Sequence, residues 1–159
     1  MRILLAIFLI TFINATEPPP QKWEINKTAA PNLDMVYSLD LNKYPKFLSE
    51  AKLKNGKSVK FISVKAMMQV YNNQDYFLKR KMLEDKIDKM YVYDYLDGTK
   101  VDATKALYMF GSRLVGPHGD DLIPLKNQAN AKLFKLKYGG TKLLPFEKLS
   151  IGLIRYLDM

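Results

Sequence analysis

The stretch ALYMFGSRLVGPHGDDLIPL, residues Ala106 to Leu125, carries the strongest structural signal in the sequence. Apolar residues dominate both of its ends, and Gly116-Pro117-His118-Gly119 stands between them. Glycine and proline at these positions mark a turn, so the stretch predicts a β-hairpin with strands over Ala106–Val115 and Leu122–Leu125. His118, the only histidine of the chain, falls in that turn. It is therefore either a metal ligand or a solvated turn residue.

A helix, a third strand and a terminal helix are predicted after this hairpin. Asn127 can cap the first helix, and Gly139-Gly140 can end it, because glycine readily enters the left-handed region. The inner face of this helix is expected to carry three large and two small apolar residues: Leu133, Phe134, Leu136, Ala129 and Ala131. Thr141–Phe146 then reads as a strand, and Glu147–Leu157 as a helix with Leu149, Leu153 and Ile154 facing inward.

The same order of elements precedes the hairpin. Phe47–Leu53 reads as a strand, Asn55-Gly56 is a strong hairpin signal, and Ser58–Ile62 returns as the partner strand. Ser63 can cap a helix with apolar residues at i, i+3, i+4 and i+7, namely Val64, Met67, Met68 and Tyr71. Met90–Tyr95 closes the unit as a strand. The pattern predicts an α+β protein of two similar ββαβ lobes with a C-terminal helix.

The N-terminus has the features of a secretory signal peptide. Met1–Ala15 combines a basic start, an apolar run too short to span a bilayer, and a small residue at its end. We therefore expect cleavage near Ala15 and a soluble periplasmic protein with no transmembrane anchor. Residues 16–43 read as an extended lead-in, 44–98 as the first lobe, and 99–159 as the second lobe with the terminal helix.

Composition excludes several classes of function. The chain has no cysteine, so disulfides, thiolate ligands, thiol nucleophiles and a lipid-anchored cysteine are all excluded. The formal net charge is +9, but the lysines are scattered along the chain, and phosphate tracking needs a clustered patch. We therefore expect no nucleic-acid partner.

No catalytic constellation emerges from the residues, and we expect neither an enzyme nor a bound organic cofactor. No nucleophile-elbow pattern surrounds a serine, and no glycine loop suited to phosphate is present. Soft-metal chemistry remains. Met35 precedes the first strand, and Met109 lies in the strand that leads to His118. Thioether and imidazole donors together suit Cu(I), so Met35, His118 and Met109 are the candidate ligands.

The segment Asp94–Leu125, DYLDGTKVDATKALYMFGSRLVGPHGDDLIPL, resembles NosL-type copper-binding accessory proteins of nitrous oxide reductase. Those proteins show a run like D-Y-x-x-G-x-x-[IV]-D-A-x-x-A-x-Y-[VM]-x-G-S-x-x-x-G-P-M-G-x-[DE]-L-I-P-F. The similarity continues downstream at Leu144–Glu147, and upstream at Tyr44–Phe47 and Val64–Met67. The resemblance implies a fold of two ββαβ lobes, which agrees with the repeat read from the residues.

The chain departs from this family at the positions that matter for copper. Family members carry C-G-M near the mature start, with a cysteine and a methionine implicated in Cu(I) binding. Placed without a gap, C-G-M falls on Tyr37-Ser38-Leu39, whereas a short insertion puts Met35 at the methionine and Leu33 at the cysteine. The second family methionine, in G-P-M-G, is His118 here.

The resemblance implies an accessory protein of denitrification that binds Cu(I) and delivers it during maturation of nitrous oxide reductase. Its partners would be a copper-acceptor enzyme, such as that reductase, or the reductase's assembly factors. The alternative is a metal-free module for protein interaction in the cell envelope, built on the same fold. In that case His118 is a turn residue that replaced a methionine after the metal site decayed.

Overall fold

The computed structural model describes residues 32–159. The predicted leader, Met1–Ala15, and the first part of the lead-in lie outside the described residues. Within residues 32–159 the chain forms two antiparallel sheets and four α-helices, which confirms the predicted α+β class.

The first sheet has four strands in the order β2-β1-β3-β4, each antiparallel to its neighbours. Its strands are β1 Ser49–Leu53, β2 Ser58–Phe61, β3 Ile87–Tyr93 and β4 Lys100–Asp102. The β1–β2 turn forms at Asn55-Gly56 as predicted, with Gly56 at a φ of 85°. β4 follows Gly98, so the first residues of the predicted second lobe add a strand to the sheet of the first lobe.

One long and one short helix follow β2. Helix α1, Val64–Asn72, begins where expected, because the Ser63 side chain accepts a hydrogen bond from the Ala66 amide at 3.2 Å. Helix α2, Gln74–Lys79, was not predicted. At six residues it is too short to show a clear helical period in the sequence.

The second sheet has three strands in the order β6-β5-β7. Its elements and the two remaining helices are β5 Leu107–Phe110, β6 Ile123–Leu125, α3 Gln128–Tyr138, β7 Lys142–Pro145 and α4 Ile151–Tyr156. Asn127 caps α3 by accepting from the Asn130 amide at 2.9 Å, and α3 ends at Gly139 with a φ of 74°. Both ends of α3 therefore follow the sequence prediction.

The predicted inner face of α3 is partly wrong. Ala131 and Phe134 are buried, but Leu133 and Leu136 are 59% and 82% exposed. Successive helical residues are separated by 100°, so the face that buries Ala131 and Phe134 turns Leu136 to the opposite side. The sequence pattern was ambiguous because α3 carries apolar residues on two faces.

A shared core joins the two sheets. The larger buried cluster contains residues of the first lobe, such as Phe61 and Met67, and residues from beyond Gly98, such as Tyr108 and Ile154. Leu149 and Ile154 are buried and Leu153 is partly buried, as predicted. The terminal helix is shorter than the predicted Glu147–Leu157, however, because α4 spans only Ile151–Tyr156 and Leu149 lies before it. Among residues 32–159, no helix has the length and apolar character needed to cross a bilayer.

Candidate functional site

The turn that carries His118 is tightly closed. The Gly116 amide donates to the Gly119 carbonyl at 2.7 Å, and Gly119 has a φ of 76°. A Cβ on Gly116 would lie 2.9 Å from the Cβ of Asp121, so glycine allows the turn to close over that buried side chain. The turn presents the imidazole of His118 outward, with 52% of the side chain exposed.

Asp121 supports the turn from below. Its Oδ1 accepts hydrogen bonds from the amides of Lys65, at 3.1 Å, and Leu122, at 2.8 Å. Burial raises the pKa of Asp121 to about 6, against the opposing effect of these hydrogen bonds and of the Lys65 charge. The second hairpin is thereby bonded to the first turn of α1.

A segment from the predicted lead-in lies against His118. The ring of Tyr37 stacks on the imidazole with centroids 4.0 Å apart and an interplanar angle of 14°. Buried Asp34 holds this segment, because its carboxylate accepts from the amides of Val36, Tyr37 and Ile62 at 2.7–3.0 Å. Burial raises the pKa of Asp34 in spite of these three bonds.

Ser38 has a φ of 56°, a conformation that favours glycine. In the ungapped placement of C-G-M, Ser38 stands at the family's glycine and Tyr37 at its cysteine. The conformation at Ser38 is therefore compatible with the ungapped placement.

Lys65 is the buried cation of this site, with its side chain fully buried. Its Nζ donates to the carbonyls of His118, at 2.6 Å, and Leu157, at 3.0 Å, and lies 3.3 Å from Oδ1 of Asp158. Nζ also lies 5.5 Å from the centroid of the Tyr37 ring. A buried charge is tolerated only when it is paired and hydrogen-bonded. Lys65 therefore ties the His118 turn to the C-terminal end of the chain.

Asp158 is the common partner of the polar groups around His118. The Tyr37 hydroxyl donates to its Oδ1 at 2.7 Å, and the Gln69 amide donates to its Oδ2. Nδ1 of His118 lies 3.7 Å from Oδ1, just beyond hydrogen-bond distance. Partial burial by itself would raise the pKa of Asp158, but the bond from Tyr37 and the charge of Lys65 hold it below its usual range.

Tyr37 stands as a neutral phenol in this arrangement. Burial and its hydrogen bond to Asp158 raise the pKa of Tyr37 far above its ordinary value. At neutral pH its hydroxyl therefore keeps its proton and donates a hydrogen bond to the Asp158 carboxylate.

The three predicted ligands occupy different environments. His118 is exposed at the centre of the site, and Met35 is partly buried against the larger core. Met109 is buried in the smaller core of the second sheet, where its thioether fills the space that a Cβ on Gly140 would occupy. Within residues 32–159, no group of three or more His, Asp or Glu side chains is placed to hold a metal ion. Copper ligation by these residues stays a prediction.

Most of the neighbours of His118 were not predicted from the sequence. Tyr37 could have been found from the ungapped placement of C-G-M, and Lys65 from its place in the family-like segment Val64–Met67. No sequence pattern predicts that Asp158 belongs to the site, because it is 121 residues from the tyrosine that donates a hydrogen bond to it.

Comparisons with known proteins agree with this architecture. The NosL family model matches residues 25–154. The crystal structure of the copper chaperone NosL from Shewanella denitrificans superposes with a TM-score of 0.56 at 22% identity, covering 85% of this chain and 99% of that one. The solution structure of apo-NosL from Achromobacter cycloclastes gives a TM-score of 0.41 at 18% identity, with coverages of 67% and 87%. No curated protein matches the chain. Since the NosL model spans well over half of the residues, the chain belongs to the NosL family.

Proposed function

We propose that this chain is an exported, non-enzymatic accessory protein that receives Cu(I) and passes it to an acceptor such as nitrous oxide reductase or its assembly factors. Family membership supports the proposal, as does the likeness in fold to a protein described as a copper chaperone. The observation that carries it is the stack of Tyr37 on His118. The stack joins the turn that matches the family's G-P-M-G to the segment on which C-G-M falls when it is placed without a gap.

The available imidazole and thioether donors suit a site that binds Cu(I) weakly and exchanges it. The exposed imidazole of His118 is the most accessible donor among the predicted ligands, and a thioether such as that of Met35 would complete a two-coordinate site for Cu(I). The ammonium of Lys65, bonded to the carbonyl of His118, opposes a second cation nearby. Copper would therefore be held briefly and released readily, as delivery requires.

Anaerobic titration with Cu(I) against a competing chelator tests this function. We expect micromolar or tighter affinity, weakened by His118→Ala and by Met35→Leu, and Met109→Leu tests the third predicted ligand. Met90→Leu changes a buried methionine outside the predicted set and serves as the matched control. Affinity weaker than micromolar that His118→Ala leaves unchanged would remove the metal role.

A second function, a metal-free interaction module in the envelope, is favoured by one observation. Tyr37 and Lys65 both pair with the Asp158 carboxylate beside His118, so these polar groups have partners within the protein. Binding of the metal-stripped protein to purified nitrous oxide reductase, measured at increasing salt, separates the two functions. Metal-independent, salt-sensitive binding supports the module, because a basic surface docks partly by charge. Binding that requires Cu(I) supports delivery instead.

Export is tested by the mass of the protein recovered from the envelope. We expect a chain that lacks Met1–Ala15, since the sequence predicts cleavage there. Recovery of the uncleaved chain in the cytoplasm would contradict a periplasmic location.

A further inference from the structure

The outward face of α3 carries an apolar stripe that the core does not use. Leu133 and Leu136 are 59% and 82% exposed, and Ala129 is also exposed. These three residues are spaced i, i+4 and i+7, so they lie along one side of the helix. The opposite side buries Ala131 and Phe134 against the second sheet. The stripe is therefore available without any opening of the fold.

Lysines flank the stripe. Lys132 and Lys137 border it on either side, Lys135 lies further around the helix, and all three are exposed. Helix α3, QANAKLFKLKY, contains no acidic residue. Its free surface therefore combines leucine with positive charge, which favours a partner that is both apolar and anionic.

The residue types favour a lipid surface over a protein groove. The centres of protein interfaces are enriched in Trp, Tyr and Arg, whereas Lys is depleted and Leu is under-represented among the residues that dominate binding energy. At a bilayer surface, by contrast, leucine enters the boundary between headgroups and acyl chains, and lysine extends its stem to keep the ammonium among the phosphates. The face formed by Leu133, Leu136 and the flanking lysines has this second composition.

We propose that the outer face of α3 docks the protein reversibly on an anionic lipid surface, with Leu133 and Leu136 inserted and the flanking lysines against the phosphates. The chain's formal net charge of +9 favours approach to such a surface. Two leucines and a few lysines give weak, salt-sensitive binding, far from that of a transmembrane helix. The proposal is independent of copper.

Co-sedimentation with vesicles tests the proposal without metal. The probe is protein recovered from the envelope, its N-terminus checked by mass so that the apolar leader is absent, with vesicles of phosphatidylglycerol and phosphatidylethanolamine. Vesicles of neutral phosphatidylcholine are the lipid control. We expect binding to the anionic vesicles that falls with added salt, and little binding to the neutral ones.

Paired variants show whether α3 is the docking face. Leu133→Gln with Leu136→Gln should lower partitioning about ten-fold or more, since both side chains are exposed and the fold does not need them. Met159→Gln, at a fully exposed terminal residue, should leave it unchanged. Lys132→Gln with Lys137→Gln should lower it about 25-fold, at roughly five-fold per lysine near the surface. Lys54→Gln with Lys60→Gln removes the same charge elsewhere and should have a much smaller effect.

Three results would overturn the proposal. Equal binding to neutral and anionic vesicles would exclude recognition of the lipid charge. Equal losses of vesicle binding from the two lysine pairs would show that binding depends only on the net charge of the protein. Absence of vesicle binding, together with loss of binding to purified nitrous oxide reductase on Leu133→Gln and Leu136→Gln, would assign the face to a protein partner. Failure of Cu(I) binding would leave this proposal untouched.

Discussion

Replacing Lys65 by Met tests whether the buried ammonium holds the candidate site together. Methionine keeps most of the volume of the lysine stem but has no charge and no donor. The change strips one hydrogen bond each from the carbonyls of His118 and Leu157, and it removes the cation 3.3 Å from Asp158. All three acceptors lie where the turn, α1 and the C-terminus meet.

The expected loss is about 3 kcal/mol in the free energy of unfolding. Breaking a buried ion pair by removing one partner costs about 3–5 kcal/mol, and each orphaned buried acceptor costs about 1–3 kcal/mol. The lower end of the range for a broken ion pair applies, because the Asp158 side chain is 32% exposed and keeps its hydrogen bond from Tyr37. For a domain of this size, the loss corresponds to roughly 10 °C in melting temperature.

Denaturant unfolding followed by circular dichroism measures this loss. Lys60→Met, at an exposed position of β2, is the matched control and should change stability by less than about 0.5 kcal/mol. Adding Asp158→Asn to Lys65→Met should cost less than the sum of the two single changes, because the carboxylate is then no longer left unpaired. A Lys65→Met protein as stable as the Lys60→Met control would show that the buried ammonium does not stabilise this site.

Two further predictions concern the turn and the segment over it. Asp121, with its pKa raised by burial to about 6, binds a proton more tightly in the folded state, so ionising it costs stability as pH rises from about 4 to 6. The free energy of unfolding of Asp121→Asn, relative to that of the wild type, should rise by roughly 1–3 kcal/mol from pH 4 to pH 7. A difference between the two proteins that is the same at both pH values would contradict this. Ser38→Gly should raise stability by up to about 1 kcal/mol, because glycine adopts the φ of 56° without strain; a lower melting temperature would argue against strain there.

The sequence predicted the local structure well where short-range signals were strong. The Asn55-Gly56 turn and the helix starts at Ser63 and Asn127 are confirmed, because each depends on backbone groups within three residues. The inner face of α3 was predicted wrongly at Leu133 and Leu136, since apolar residues on two sides of a helix do not show which side meets the sheet. The pairing of β4 with the first sheet was also missed, because three residues give too little alternation.

The candidate site was predictable only in part. His118 in a glycine-bounded turn could be read directly from the sequence. The ungapped placement of the family's C-G-M fell on Tyr37-Ser38-Leu39, but it did not predict that Tyr37 contacts His118. Contacts among Tyr37, Lys65 and Asp158 join residues up to 121 positions apart. No local pattern encodes them.

The amino-acid sequence is enough to establish the α+β class, the turns and caps, the family, and the lack of any thiol for copper. Tertiary structure alone decided that Lys65 lies buried beneath His118, that Asp158 receives the Tyr37 hydroxyl, and that α3 turns two leucines to solvent. The physical reason is that turns and caps depend on neighbouring backbone groups. Whether a charge is buried or an apolar face is covered depends instead on which distant segments pack together.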